Sequence, residues 1–436
     1  QPYLEDFMVR NAFTAGIDFT QYFKNRLYYI DVKGMLSSLH GSAGAITALQ
    51  NSVAHYYQRA SSADYLGVDP TRRSLTGTGG YVKVGRKGNA KWNFSETFTW
   101  SSPGFDLNDM GYMKETDYLM NETEIMYRQT DIWKIFRYNA FTLSQKNMWN
   151  YGGTPFSNNA SLRWQSMTMN RYEWDVKETF AWNWLDSRLL RGGPDVRFGS
   201  YFLTSAKFNT DKAKRMMFML KYEGDHNFEG NRFNTISPSL TFRLGNHVYL
   251  SGQLDYAWNT DEMQYVATTS PLSSSSLAPY YYVMGHMDQK TYGLTLKLQV
   301  NVTPDISIQF YGAPFTSIAK YDDFKLAADT KSHTFENRFQ RIDPDQLTYA
   351  DGVYTIGEGA GQMPFRNPDF RFNEFRSNLV ARWEYLPGST LYFVWEHRMS
   401  NRDNWYSSGW GSNLDRMWGL PATNTFMIKM NYWFNL

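Results

Sequence analysis

Along most of this chain, apolar and polar residues take alternate positions. The final stretch shows it most plainly. Phe426, Ile428, Met430, Tyr432, Phe434 and Leu436 hold the even positions, while Thr425, Lys429, Asn431 and Asn435 hold odd ones. Successive side chains of a strand point to opposite faces, so this period of two predicts a strand with one greasy and one wet face. The pattern recurs upstream: Tyr292, Leu294, Leu296, Leu298 and Val300 oppose Thr291, Thr295, Lys297, Gln299 and Asn301. Likewise Leu240, Phe242 and Leu244 oppose Ser239, Thr241 and Arg243, and Leu250, Leu254, Tyr256 and Trp258 oppose Ser251, Gln253 and Asp255.

Read this way, the chain begins with hairpins Asn11–Phe23 with Arg26–Leu39, Thr78–Arg86 with Ala90–Trp100, and Asp117–Arg128 with Ile132–Trp149. Ala160–Met169 with Tyr172–Trp184 and Asp195–Phe208 with Arg215–Tyr222 follow, then further strands to the end. Glu96 interrupts the apolar series Trp92, Phe94, Phe98, Trp100, and only a pore lip or a partner contact accounts for it. Short turns fall near residues 24, 88, 130, 170, 211, 245, 304 and 387. Longer connections lie at 40–76, 101–116, 150–159, 260–285, 313–370 and 400–422.

Short turns on one side and long loops on the other are the outer-membrane pattern, and ~9–11 residues suffice for a tilted strand to cross a bilayer. A spanning sheet cannot leave an edge open in lipid, so the last strand is expected to seal against the first. The expected fold is all-β, a transmembrane antiparallel β-barrel of the outer membrane forming one domain over residues 1–436. It should have about 18 or more strands, because alternation alone gives about 17 and single-chain bacterial barrels are even-numbered. Either Gln1–Arg10 supplies another crossing, or the chain is the carboxyl-terminal part of a longer one. No fixed repeat marks a propeller or solenoid.

Composition agrees with this picture. No apolar run reaches the length of a membrane helix, and 17% aromatic content is too rich for disorder. A mean hydropathy of -0.55 suits a barrel, in which only alternate residues face lipid. A net charge of +2 gives no case for nucleic acid, and the absence of cysteine removes disulfides and thiolate metal sites.

Two stretches are more specific than periodicity. One is Ser102-Pro103-Gly104-Phe105-Asp106-Leu107-Asn108-Asp109-Met110-Gly111-Tyr112. The other runs from Asn367-Pro368-Asp369-Phe370 through Arg382-Trp383-Glu384-Tyr385-Leu386-Pro387-Gly388 to Tyr392. Both resemble a family of Bacteroidota outer-membrane β-barrel proteins of unassigned function. Its members usually carry an amino-terminal carbohydrate-binding family 9-like domain. The resemblance covers only the family's carboxyl-terminal barrel part, so sugar binding by that domain does not carry over, and it transfers no catalytic residue.

Candidate chemistry is sparse. Arg243, Gln253, Asp255, Lys297, Gln299, Arg376, Arg382 and Lys429 occupy polar positions and are expected to line a lumen. Trp405, Tyr406, Trp410 and Trp418, beside Asn401, Arg402 and Asp403, form a possible glycan-contact loop, or equally an interfacial girdle. Asp106, Asn108 and Asp109 read first as turn architecture and second as oxygen ligands for a hard cation. The seven histidines have no zinc-pair spacing, and the glycines at 77–80 lack the following helix of a phosphate cradle.

The expected function is a channel or transport-associated barrel for polar, possibly glycan-derived, solutes. The alternative is a structural or assembly subunit of a larger outer-membrane complex, and a membrane-embedded hydrolase ranks third. No enzyme activity, cofactor or metal is expected. Expected partners are outer-membrane lipid, other outer-membrane proteins or surface lipoproteins, and glycans, with no nucleic acid.

Overall fold

The computed structural model describes residues 7–59, 65–109, 111–182, 184–272, 280–403 and 410–434. The strands in chain order are β1 (Val9–Phe23), β2 (Tyr28–Gly41), β3 (Ser74–Arg86), β4 (Trp92–Ser101), β5 (Tyr118–Gln129), β6 (Phe136–Trp149), β7 (Pro155–Thr168) and β8 (Glu173–Trp182). A small hairpin, β9 (Trp184–Asp186) and β10 (Val196–Phe198), precedes β11 (Tyr201–Asn209), β12 (Met216–Asn227), β13 (Arg232–Leu244), β14 (Val248–Thr269), β15 (Tyr281–Asn301) and β16 (Ile306–Ala327). Short strands β17 (Phe339–Arg341), β18 (Leu347–Ala350), β19 (Val353–Ile356) and β20 (Met363–Arg366) lead to β21 (Phe370–Leu386), β22 (Ser389–Asp403) and β23 (Thr423–Asn431). Helices α1 (Ala43–Gln50) and α2 (Trp410–Trp418) lie in long connections.

One 18-stranded antiparallel sheet dominates. Apart from the three-residue β17, its strands pair in chain order as a meander. The all-β expectation holds, as does the division into short turns and long loops. Lys24, Asn25 and Arg26 make the first turn with φ of 45, 54 and 65°. At the last short turn Gly388 has φ 80°, a conformation glycine adopts without steric cost.

Register explains the alternation. Phe242, Leu250, Leu298, Phe310, Leu379, Trp395 and Phe426 stand side by side across β13–β16 and β21–β23. One position along runs a second row: Thr241, Ser251, Lys297, Tyr311, Asn378, Glu396 and Thr425. The first face is apolar yet open, with Leu250 at 42% and Phe426 at 64% exposure.

The edges differ from expectation. Among the described residues β1 pairs only with β2, and β23 only with β22. Both run toward the short-turn end, so direct pairing between them would be parallel. An all-antiparallel closure takes an odd number of strands between them. Val9 and Arg10 belong to β1 itself, while Gln1–Asp6 lie outside the described residues.

Glu96 now has a partner. It pairs directly with Thr123 on β5, whose hydroxyl donates to its carboxylate at 2.6 Å. The arrangement is repeated on β8: Glu178 pairs with Thr204, which donates at 2.7 Å. The flanking residues match, Trp92, Phe94, Phe98, Trp100 against Trp174, Val176, Phe180, Trp182. Each carboxylate thus sits mid-strand on the apolar face with one hydrogen bond from its neighbour.

β14, β15 and β16 run 22, 21 and 22 residues, whereas alternation marked only their halves nearest the short turns. At ~3.4 Å per residue they are about twice as long as a bilayer crossing needs. Their far halves lose the simple pattern because they pack on both sides. Val283, Met287, Ala319, Tyr321, Phe324 and Leu326 form a cluster with Ile356 and Phe365 of the β18–β20 sheet. Full burial of each large side chain contributes ~1.5–3 kcal/mol.

Candidate functional site: the polar inner face and its cap

The polar face is where all eight expected lumen residues lie. Gln253 donates to Asp255 at 2.9 Å, and Ser237 donates to the same carboxylate at 2.6 Å. Arg376 and Arg398 converge on Glu374 at 2.8 and 3.0 Å. Arg382 bonds Glu384 at 2.5 Å, with Tyr392 and then Lys429 as its cross-strand neighbours. Arg243 donates to the Lys212 carbonyl at 3.2 Å, and Gln299 to Asn301 at 3.4 Å. Lys297 and Gln299 share a recess of about 300 Å³ with Tyr249, Gln309, Tyr311 and Asn378. The same face of the first strands carries Asp18–Lys33 (3.2 Å) and the Arg163–Asp175 pair. This face thus carries mixed charge, bonded along and across strands.

The long connections fold onto this face. α1 starts where Ser42 accepts the Ala45 amide at 3.0 Å, and Gln50 exchanges two hydrogen bonds with the Asp69 backbone at 2.9 and 2.7 Å. Ile46 and Tyr57 then pack on Leu75 of β3. The 101–116 connection comes down beside them because β3 clears the space. A Cβ on Gly77 would stand 2.1 Å from the Phe105 nitrogen, and one on Gly79 2.4 Å from its ring. These glycines admit a loop, not a phosphate.

Ionic bonds join the cap around the sheet. Arg59 donates to Asp117 at 2.7 Å, to the Tyr56 carbonyl at 3.0 Å and to Ser187 at 3.0 Å. Asp117, with φ 63°, also accepts from Tyr65 at 2.6 Å and the Tyr151 amide at 3.1 Å. Arg188 bonds Glu115 at 3.0 Å. Further round, fully buried Arg338 holds Glu229 with two bonds of 2.9 and 2.7 Å, and donates to the carbonyls of Arg197 and Ser332. Connections after β2, β4, β6, β8, β12 and β16 therefore meet. The Arg59–Ser187 bond links the connections after β2 and β8, which are six strands apart in the sheet.

Among the described residues His55 is the one fully buried histidine. Its Nε2 lies 3.0 Å from Asp106, its Nδ1 2.8 Å from the Pro103 carbonyl and 3.3 Å from the Thr116 hydroxyl. Among the described residues no serine hydroxyl joins it, and the ring is fully enclosed. The cavity beside it measures about 30 Å³, room for one water rather than a substrate. His397 bonds Asn424 at 2.8 Å. Asp106 also accepts the Asn108 amide at 2.8 Å, so the Asp106/Asn108 turn is spent on architecture. Among the described residues no group of three or more acidic or histidine side chains is placed to hold a metal.

Burial pushes the Asp106 carboxyl up, but its bonds from His55 and Asn108 outweigh this and leave it below the usual value of 3.8. Its contribution is therefore full above pH 3.8 and lost as pH falls through the lower folded value. Acid-active protease should open the 101–116 segment as pH drops through that window. Asp106→Asn should expose the segment already at neutral pH.

Of the proposed glycan loop, Trp405 and Tyr406 lie outside the described residues. Trp410 opens α2, and Trp418 ends it against Phe375 at 4.9 Å. Arg59, Asp117, Glu229 and Arg338 were not marked by sequence reasoning. They sit in connections without periodicity, and their partners are 58 and 109 residues away.

No curated protein matches the chain. Among solved structures, the siderophore receptor PirA from Acinetobacter baumannii is similar at 9% identity and a TM-score of 0.38, over 96% of this chain and 70% of that one. At that score the likeness is too loose to argue from. Residues 40–436 match the model of a domain of unknown function (DUF5916), and the chain belongs to that family.

Proposed function

We propose that this chain is a bacterial outer-membrane β-barrel through which polar solutes pass, as a channel or a transport-associated protein. The observation that carries the reading is the pair of adjacent rows across β13–β16 and β21–β23, one wholly apolar and open, the other polar and charged. A continuous exposed apolar surface of this extent is stable against lipid, not water. The capping loops then form a gate on the polar side. Residence in a Bacteroidota envelope, and glycan contact through Trp405, Tyr406, Trp410 and Trp418, are finer parts of the same proposal.

Reconstitution into planar bilayers tests it. Discrete conductance steps are expected, and Lys297→Glu should shift their ion preference toward cations. Silent bilayers at high protein-to-lipid ratio would remove the channel reading. The second reading, a structural subunit, is favoured by Glu96 and Glu178 on the apolar face. Stable subunits retained in mild detergent, without conductance, would support it. We read the chain as non-enzymatic, because the enclosed His55 leaves no room for a substrate.

A further inference from the structure

At the long-loop end of the inner face, the β9–β10 hairpin closes over the ends of β11–β14 around a cavity of about 270 Å³. Asp225, Phe233 and Asn259 are successive cross-strand partners in its wall, on the same side as Lys221, Glu223 and Ser237. The cavity is therefore on the polar side, near the mouth.

Its wall combines two chemistries. Trp184 lies 4.9 Å from Phe198 with planes 24° apart, and 5.1 Å from Tyr201. Beside these rings are Asp225, Asp261 and three asparagines, Asn227, Asn231 and Asn259. The first two asparagines are already oriented. Asn227 accepts the amides of Glu229 and Asn231 at 2.9 Å, and Asn231 accepts that of Glu262 at 2.7 Å. With the carbonyl oxygens so engaged, the –NH2 ends remain as donors. Asp261 accepts the Met263 amide at 2.9 Å on one oxygen, leaving the other as an acceptor. Burial pushes its carboxyl above the ordinary range despite that bond, as expected of a group kept from bulk water.

The ligand class follows by matching. A purely apolar molecule would strip water from two carboxyls and give nothing back. A phosphate or carboxylate would face Asp225 and Asp261. A bare cation would leave the amide donors and ring faces without partners. A sugar ring has an apolar C–H face for the aromatics and hydroxyls that both donate and accept. The volume sits just below the ~300 Å³ at which pockets for small organic ligands begin, so it fits one ring rather than a chain.

We propose that this cavity binds a single uncharged pyranose ring, making it a recognition site at the mouth of the inner face. Its role in selecting solute rests on the transport reading, but binding itself does not. The test is saturation-transfer NMR on the full chain in detergent micelles, with glucose, galactose and N-acetylglucosamine as probes and the acyclic polyol sorbitol as control. Transfer to the ring protons of at least one sugar, but not to sorbitol, is expected. It should fall at least tenfold in Trp184→Ala and in Asp261→Asn, each checked for an unchanged far-ultraviolet spectrum. Absence of transfer to all three sugars in the unaltered protein, or transfer undiminished in both variants, overturns the proposal. Binding without any bilayer conductance would instead count against the channel reading alone.

Discussion

Replacing Leu296 by arginine is expected to destabilise the membrane-embedded protein by about 2–4 kcal/mol, the cost of a cation on the lipid face near mid-bilayer. Leu296 stands between Gly252 and Gly312 in register and is 40% exposed. With glycine directly opposite on both sides, no cross-strand partner can pair with a guanidinium, and its stem must reach far to leave the hydrocarbon. Thr295→Arg, one residue away on the polar face, should cost little. Urea titration in lipid vesicles compares the two. Equal costs would mean that the two faces meet the same medium.

The second large effect is expected at Arg338. Its side chain is 1% exposed and its partner Glu229 12%. Removing one member of such a pair leaves a buried charge uncompensated, at about 3–5 kcal/mol. Among the described residues Glu229 would keep the Gly199 amide at 2.9 Å. Arg338→Ala should therefore release the segments around 197–199, 227–231 and 329–338 together, seen as lost hydrogen-exchange protection, while β13–β15 stay protected near the short turns. The double change Arg338→Met with Glu229→Gln should recover much of the loss. Protection unchanged in Arg338→Ala would show that the cap does not depend on this arginine.

Much of the sheet was legible because alternate residues of each strand lie on an apolar and on a polar face. That physical contrast writes a period of two, clear in Leu294–Val300 and in Phe426–Met430. It fades where both faces are covered, as in the far halves of β14–β16, and β17–β20, at three or four residues each, are too short to show it; the expected strand Asp195–Phe208 divides into β10 and β11. That Lys297, Arg382 and Lys429 share the polar face was legible by parity alone. Their bonding partners were not, since register sets those. The repeated Trp-x-x-x-Glu-Thr-Phe-x-Trp of β4 and β8 stands in the sequence, but the threonines that bond its glutamates lie 27 and 26 residues away and only register brings them there. The Trp184 cavity was beyond sequence reasoning, because it gathers residues from six strands.

The central claim is that alternate residues of these strands face lipid and a polar interior. Spin labels placed singly at 294, 296, 298 and 300, and at 297, 299 and 301, test it in liposomes. Strong relaxation by oxygen dissolved in lipid is expected at the even set and by a water-soluble nickel chelate at the odd set. Equal response of both sets to both quenchers would contradict it.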